Sequence, residues 1–318
     1  MNARRIAVVG AGTMGANIAL DFAAHGWAVA LVDARAEQLS RAAAAMQAGA
    51  ELLERHGMLG ASPQAVLALV TADLNLARAV AGVEVVVEAV PEDLALKRRV
   101  FGELERQAGD ETILASNTSS IMPSRLAEGL AHPQRLLVAH YWNPAHLMPL
   151  VELVPHPGTA PAIVDRMREL LTACGKRPVL VHSEVPGFIG NRLAFALQRE
   201  AMALVEQGVA APEDIDAVVR SGFGRRIPVS GIFATADLGG LDVYAAICDQ
   251  IFPDLSRDAA TPAILRRMVE QRSLGVKTGG GWYHYPPERA AALRAQLEEE
   301  LIARARQDRD GKGAGPRI

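Results

Sequence analysis

The 318-residue chain predicts an α/β fold, with a doubly wound, mainly parallel sheet followed by a smaller all-helical C-terminal domain. Three observations carry this. Short β-branched runs alternate with longer helical stretches through the first half. A glycine-rich turn joins the first strand to the first helix. The strand signals then stop after a proline and glycine break at residues 183–187.

Taken in order, residues 6–9, 28–32, 83–88, 112–115 and 136–139 read as strands, with helices at 14–25, 37–56 and 94–108 between them. A further helix at 161–174 and a strand at 178–182 precede the break. Beyond it, residues 189–207, ended by Gly208, then 212–221 and 261–271 read as helices. From Pro287 a charged helix sets Glu298, Glu299 and Glu300 against Arg304 and Arg306 at helical spacing, and residues 308–318 read as a disordered tail. The expected domains are 1–184, 185–286 and 287–318. The alanine run at 42–45 is helix filler, and no repeat is visible.

Half the residues are hydrophobic, so the chain can bury a core. Thirty-three Lys and Arg against 36 Asp and Glu leave a net charge of -3, which excludes a basic surplus for nucleic acid or an anionic membrane. An anionic ligand must therefore be held by a few placed groups. Cys174 and Cys248 are too few for a disulfide framework, and no Cys/His spacing suggests zinc; both read as core thiols in a reducing compartment, and no metal is expected. The apolar start is cut by Gly10 and Gly12, which marks a strand and not an export signal. No run approaches the roughly 18 apolar residues of a membrane span, so a soluble, cytoplasmic protein is expected. Only Lys97, Lys176, Lys277 and Lys312 are lysine; the other 29 Lys/Arg cations are arginine.

Gly10-Ala11-Gly12-Thr13-Met14-Gly15 has the GxGxxG spacing, follows a strand and opens a helix, and a second strand ends in Asp33. Together these predict a Rossmann-type dinucleotide site. The first glycine makes the turn, the second admits a pyrophosphate, and the third lets helix and strand pack closely. The phosphate would sit at the positive end of the helix dipole. Asp33 would accept hydrogen bonds from the ribose hydroxyls and repel a 2′-phosphate, which favours NAD.

Of eight histidines, His140 stands out because it follows an apolar strand and emerges at its carboxyl end, where open α/β sheets bind ligands. Glu152 interrupts the apolar run 148–154, and a carboxylate there is costly to bury without a partner. Asn143-Pro144 is a turn signal that could fold the second segment beside the first. A histidine next to a buried carboxylate suits a general base taking a hydroxyl proton; a satisfied core pair is the alternative, and His146 is the rival base. Ser116-Asn117-Thr118-Ser119-Ser120 forms a polar cluster at another strand tip, more than helix capping requires.

At this point the chain resembles the 3-hydroxyacyl-CoA dehydrogenase family, over nearly its whole length to about Tyr285. The motifs, in order, are the glycine loop; Val87-Glu88-Ala89-Val90-Pro91-Glu92 with Lys97; Ser116 to Ser120; His140-Tyr141-Trp142-Asn143-Pro144 with Leu150-Val151-Glu152; Pro186-Gly187-Phe188-Ile189-Gly190-Asn191-Arg192; and Gly275-Val276-Lys277-Thr278-Gly279. The resemblance implies His140 as base and Glu152 as its orienting carboxylate. It implies Ser119 and Asn191 on the reacting oxygen or the base. It implies Glu92, Lys97, Asn117 and Lys277 around the dinucleotide, beside Gly10, Gly12, Thr13, Met14, Gly15 and Asp33. Asn143 is assigned to the substrate, and homodimerisation through the helical domain is implied.

CoA-using members usually carry lysines between the second and third strands, for the CoA phosphates; residues 34–70 here hold Arg35, Arg41, Arg55 and His56 and no lysine. Around residues 222–233 and 149–155 the chain looks more like branches acting on free hydroxy acids, namely the gulonate dehydrogenase and lambda-crystallin group, carnitine dehydrogenase and a dehydrogenase of pyridine-carboxylate breakdown. Arg225 and Arg226 could grip a substrate carboxylate; a surface pair is the alternative. The expected activity is NAD-dependent oxidation of a short or medium L-3-hydroxyacyl-CoA, in fatty acid metabolism. The same chemistry on L-gulonate, L-carnitine or a hydroxymethyl aromatic carboxylate stands second, and a non-catalytic, crystallin-like dinucleotide binder third.

Overall fold

A computed structural model describes residues 4–311. Its strands are β1 (Arg5–Val9), β2 (Ala28–Val32), β3 (Val70–Asp73), β4 (Val85–Glu88), β5 (Ile113–Ser116), β6 (Leu136–Tyr141), β7 (Leu150–Pro155) and β8 (Arg177–Leu180). They form one sheet in the order β3-β2-β1-β4-β5-β6-β7-β8. Every neighbouring pair is parallel except β6 and β7. The first six follow the dinucleotide-fold order, with its switch point between β1 and β4. The helices of this part are α1 (Thr13–Ala24), α2 (Ala36–Arg55), α3 (Pro63–Leu67), α4 (Leu76–Val80), α5 (Leu94–Gln107), α6 (Pro123–Ala127) and α7 (Pro161–Ala173).

The sequence makes this sheet by supplying strands that are apolar on both faces. Val85, Val86 and Val87 of β4 are all buried, as a parallel strand under two helix layers requires. Phe101 and Leu104 on α5 are fully buried in a core cluster with Val86, Leu114, Leu126 and Val138. The Asp93 carboxylate accepts from Leu96 N at 2.7 Å and caps α5, and Ser62 and Asn75 cap α3 and α4 the same way. The elements β3, α3, α4 and α6 were not predicted. At four or five residues each, they are too short for a period to show.

The chain divides into two compact units between Arg192 and Leu193. Helix α8 (Gly190–Glu206) is followed by α9 (Pro212–Ser221), α10 (Ile227–Ser230), α11 (Phe233–Gly239), α12 (Leu241–Ile251), α13 (Ala263–Glu270) and α14 (Pro287–Arg309). Among the described residues the second unit has no strand, only isolated bridges joining Gly275, Gly280 and His284. Gly231 and Gly240, both at positive φ, bound α10 and α11, which at four and seven residues are too short for a period to show; α12 is a further helix that the sequence does not predict. The last helix carries order to Arg309, past the start of the expected disorder at 308; residues 312–318, including Lys312, lie outside the described residues. Cys174 is buried, as expected, whereas Cys248 is only half-buried. Among the described residues no helix is long and apolar enough to cross a membrane, and no group of three or more His, Cys, Asp or Glu could hold a metal ion.

Candidate active site

The carboxyl ends of β1 and β4 open on a cavity of about 730 Å³ lined by Gly10, Gly12, Thr13, Met14 and Asp33 among others. Gly10 sits at φ +101°, and a Cβ there would lie 2.7 Å from the Ala89 carbonyl oxygen, so only glycine makes this turn. A Cβ on Gly15 would meet the Gly10 carbonyl at 1.8 Å. A Cβ on Gly12 would touch no protein atom and would project into open space beside the cavity. The N-terminus of α1 has no side-chain cap, so its first amides are left for an anion. Asp33 accepts from the amides of Ala11 and Arg35, each at 2.9 Å, which aims the carboxylate at the cavity wall while leaving acceptor capacity for hydroxyls. These features fit a dinucleotide.

At the next strand ends, the antiparallel register sets His140 opposite Glu152. His140 Nδ1 lies 2.8 Å from Glu152 Oε2. The Trp142 indole donates to the same oxygen at 3.4 Å, and the amides of Ile189 and Gly190 donate to Oε1 at 2.9 and 3.0 Å. Glu152 is 1 % exposed and His140 4 %. Burial pushes the Glu152 carboxyl up, but the His140 bond and the two amides outweigh it and hold it below the usual carboxylate range. Phe188 and Trp142 pack on the imidazole. Gly190 has no room for a side chain, since a Cβ would come 2.4 Å from the Trp142 ring.

The polar cluster after β5 is organised by two acids, Glu92 and Glu88. Glu92 accepts from the Thr118 and Ser120 hydroxyls and from the amides of Ser119 and Ser120. Burial pushes its carboxyl up, but the Thr118 and Ser120 hydroxyls and Lys97 outweigh it and hold it below the usual range. Asn191 donates to the Ser119 carbonyl at 3.3 Å, and Asn117 accepts from Tyr141 N at 2.9 Å, which ties β5 to β6. Lys97 turns inward: it is 1 % exposed, and its Nζ meets Glu88 Oε1 at 2.7 Å, the Val90 carbonyl at 3.1 Å and Glu92 at 3.4 Å. Beside them stands Glu88, to which the sequence assigns no role. It is wholly buried, bound by Lys97, by the Ser116 hydroxyl and by Val90 N. A carboxylate inside the run Val83 to Val90 was the available signal.

The first unit thus brings together His140, Glu152, Asn191 and Ser119, and separately the glycine loop with Asp33. Asn143, exposed, accepts from Asn17 of α1 at 3.2 Å. Lys277, Arg225 and Arg226 lie in the second unit, exposed on irregular or 3-10 segments. His146 does not share the surroundings of His140. Its ring stands 3.7 Å from where a Cβ on Gly49 of α2 would be, and its Nδ1 is buried without a partner. Burial, aided by Lys176, drives its pKa down to about 4, so it is a weak base at neutral pH.

The family models for the 3-hydroxyacyl-CoA dehydrogenase NAD binding domain and C-terminal domain match residues 5–185 and 187–285. The chain belongs to the 3-hydroxyacyl-CoA dehydrogenase family. It is an NAD-dependent oxidoreductase acting on CH–OH groups. This family member is 36 % identical over 301 residues to a 5-formyl-3-hydroxy-2-methylpyridine 4-carboxylate 5-dehydrogenase of Mesorhizobium japonicum, covering 94 % of this chain and 96 % of that protein. It is 34 % identical over 323 residues to the 3-hydroxyadipyl-CoA dehydrogenase of Escherichia coli, covering 98 % of this chain and 66 % of that protein. A crystal structure of a 5-formyl-3-hydroxy-2-methylpyridine 4-carboxylic acid 5-dehydrogenase, an NAD+-dependent dismutase, superimposes with a TM-score of 0.90 at 34 % identity, over 98 % of this chain and 99 % of that one.

The neutral, buried His146 makes the dehydrogenase acid-sensitive. Above its ordinary pKa of 6.5 both folded and unfolded states hold it neutral; as pH falls toward about 4, the unfolded chain takes up a proton that the folded chain refuses. Stability should therefore fall by about 2 kcal/mol from this group between pH 7 and pH 5. Urea unfolding of wild type and His146→Gln at the two pH values checks this. An equal pH dependence in both proteins would remove His146 as the cause.

Proposed function

We propose that the dehydrogenase oxidises the CH–OH group of a small free carboxylate, an aromatic carboxylate first among them, with His140 as the general base. The observation that carries the chemistry is the 2.8 Å contact between His140 Nδ1 and Glu152. It engages one ring nitrogen with an acceptor that cannot donate, so Nδ1 carries the hydrogen and Nε2 is the nitrogen left to receive a proton. NAD, when bound at the glycine loop, supplies the hydride acceptor. His140 Nε2 takes the hydroxyl proton as the hydride leaves the substrate carbon, and Glu152 stabilises the imidazolium so formed. The Ser119 hydroxyl and the Asn191 amide are assigned to the reacting oxygen; supporting this, Asn191 follows the Gly190 amide that binds Glu152 and itself donates to the Ser119 carbonyl. The glycine loop and Asp33 hold the dinucleotide, and Glu92, Lys97 and Asn117 shape the strand tips beside it.

The free-acid reading takes precedence over an acyl-CoA substrate for two reasons. The match to the pyridine-carboxylate dehydrogenases spans essentially both chains end to end. In residues 34–70 there is no lysine for CoA phosphates; Arg41 pairs with Glu37 at 2.6 Å, and Arg35 lies 3.9 Å from Asp33. A homodimer is part of the same proposal. It is supported by large apolar side chains left exposed on the second unit, among them Phe195, Phe233, Leu238 and Phe252.

His140→Ala should lower kcat by about 10²–10⁴-fold, the usual worth of a positioned base, with NADH affinity unchanged by fluorescence titration; undiminished turnover would overturn its role. NADH formation should be measured with L-gulonate, L-carnitine, a hydroxymethyl aromatic carboxylate and 3-hydroxybutyryl-CoA. At least one free acid should be turned over with a higher kcat/KM than the thioester, and turnover of the thioester alone refutes the substrate class. Light scattering should return twice the 33.8 kDa chain mass. A monomer mass would remove the dimer.

A further inference from the structure

Lys176 has no place in the reaction derived above, yet it is buried at 8 % exposure. Its ammonium has three protons and meets three acceptors: Asp21 Oδ1 at 2.8 Å, the Ala145 carbonyl at 2.6 Å and the Met148 carbonyl at 3.3 Å. Asp21, 3 % exposed, lies on α1, the helix whose N-terminus frames the dinucleotide cavity. Ala145 and Met148 lie on the loop, residues 142–149, that leads from His140 on β6 to Glu152 on β7. The same loop is held to α1 at its start by Asn17 and Asn143, and to β8 at its end by Arg177 N and the Pro149 carbonyl at 2.8 Å.

We propose that Lys176 is a positioning residue for the dehydrogenation, clamping the loop between base and orienting carboxylate onto the cofactor helix; this rests on the reading of His140 as the base. Consecutive strand residues face opposite sides of a sheet, so His140 points to Glu152 while Tyr141 points to the α1 side. There the Tyr141 hydroxyl and Asp21 Oδ2 are buried without protein partners. Burial raises the Asp21 carboxyl, and Lys176 opposes that rise. Such a pair is not needed for stability, because a packed uncharged pair serves a fold about as well. What the ion pair adds is a fixed length and direction between three elements: α1, the loop and β8. His140 and Glu152 stand on β6 and β7, the strands that flank the loop so held, and small displacements there are felt in the chemical step.

The test compares wild type with Lys176→Met/Asp21→Asn, which removes both charges at nearly constant volume, and with Asp21→Asn alone. For each protein, thermal unfolding, NADH affinity, amide hydrogen exchange over residues 140–152, and kcat and KM on the best substrate of the panel above are measured. The double variant should keep NADH affinity and KM, exchange faster in the loop, and lose about 10–100-fold in kcat; the single variant should move the same way by less. Wild-type kcat and loop exchange in both variants would overturn the proposal. So would a loss of NADH affinity and global protection in step with kcat, which would mark a purely structural pair. If the double variant does not fold, Asp21→Asn decides by the same criteria. His140→Ala in parallel separates the two readings, since its full activity would sink the base assignment while loop exchange still judges the clamp.

Discussion

A carboxylate buried in the middle of a strand is the constraint around which the candidate site is arranged. Glu152 at 1 % exposure would be prohibitively costly without donors, and four surround it: the His140 ring, the Trp142 indole and the amides of Ile189 and Gly190. These donors come from β6, from the loop after it and from the entry to α8. Satisfying one side chain therefore determines the register of the antiparallel pair, the imidazole tautomer and the direction in which the chain leaves the sheet. Moving the register by one residue would turn Glu152 to the opposite face and strand it.

A second acid buried as deeply, Glu88, is neutralised differently, and the difference separates structure from chemistry. Its charge is met by the fixed ammonium of Lys97, by the Ser116 hydroxyl and by Val90 N. That network joins the tips of β4 and β5 and, through Glu92, shapes the segment carrying Ser119. Glu152 is met by an imidazole, a group that can gain a proton at Nε2 and share the resulting charge with the carboxylate. One acid braces the strand tips, while in the proposed reaction the other supports proton transfer.

The scarcity of lysine takes on a physical meaning in the same light. In an arginine-rich chain, Lys97 and Lys176 are both buried, and each ammonium meets three oxygen acceptors. A compact, tetrahedral donor suits three acceptors converging from different elements, where a planar guanidinium fork would not fit. The family resemblance implies that Lys97 lies by the cofactor. The fold turns that ammonium inward, onto Glu88, Glu92 and the carbonyl of Val90 in the cavity wall.

By itself the sequence determined the local devices. The spacing of Gly10, Gly12 and Gly15 before a helix, Asp33 at the second strand tip, and the paired signals of His140 and Glu152 across Asn143-Pro144 were legible because each depends on neighbours within about twenty residues, where periodicity and turn chemistry act. Only the tertiary structure decided how the buried charges were matched. The amides that complete Glu152 lie 37 and 38 residues along the chain, the Ser116 partner of Glu88 lies 28 away, and Lys176 reaches Asp21 from the far edge of the sheet. No local pattern encodes those partners. Desolvation makes each buried charge require some partner, and the path of the backbone through the sheet determines which one it meets.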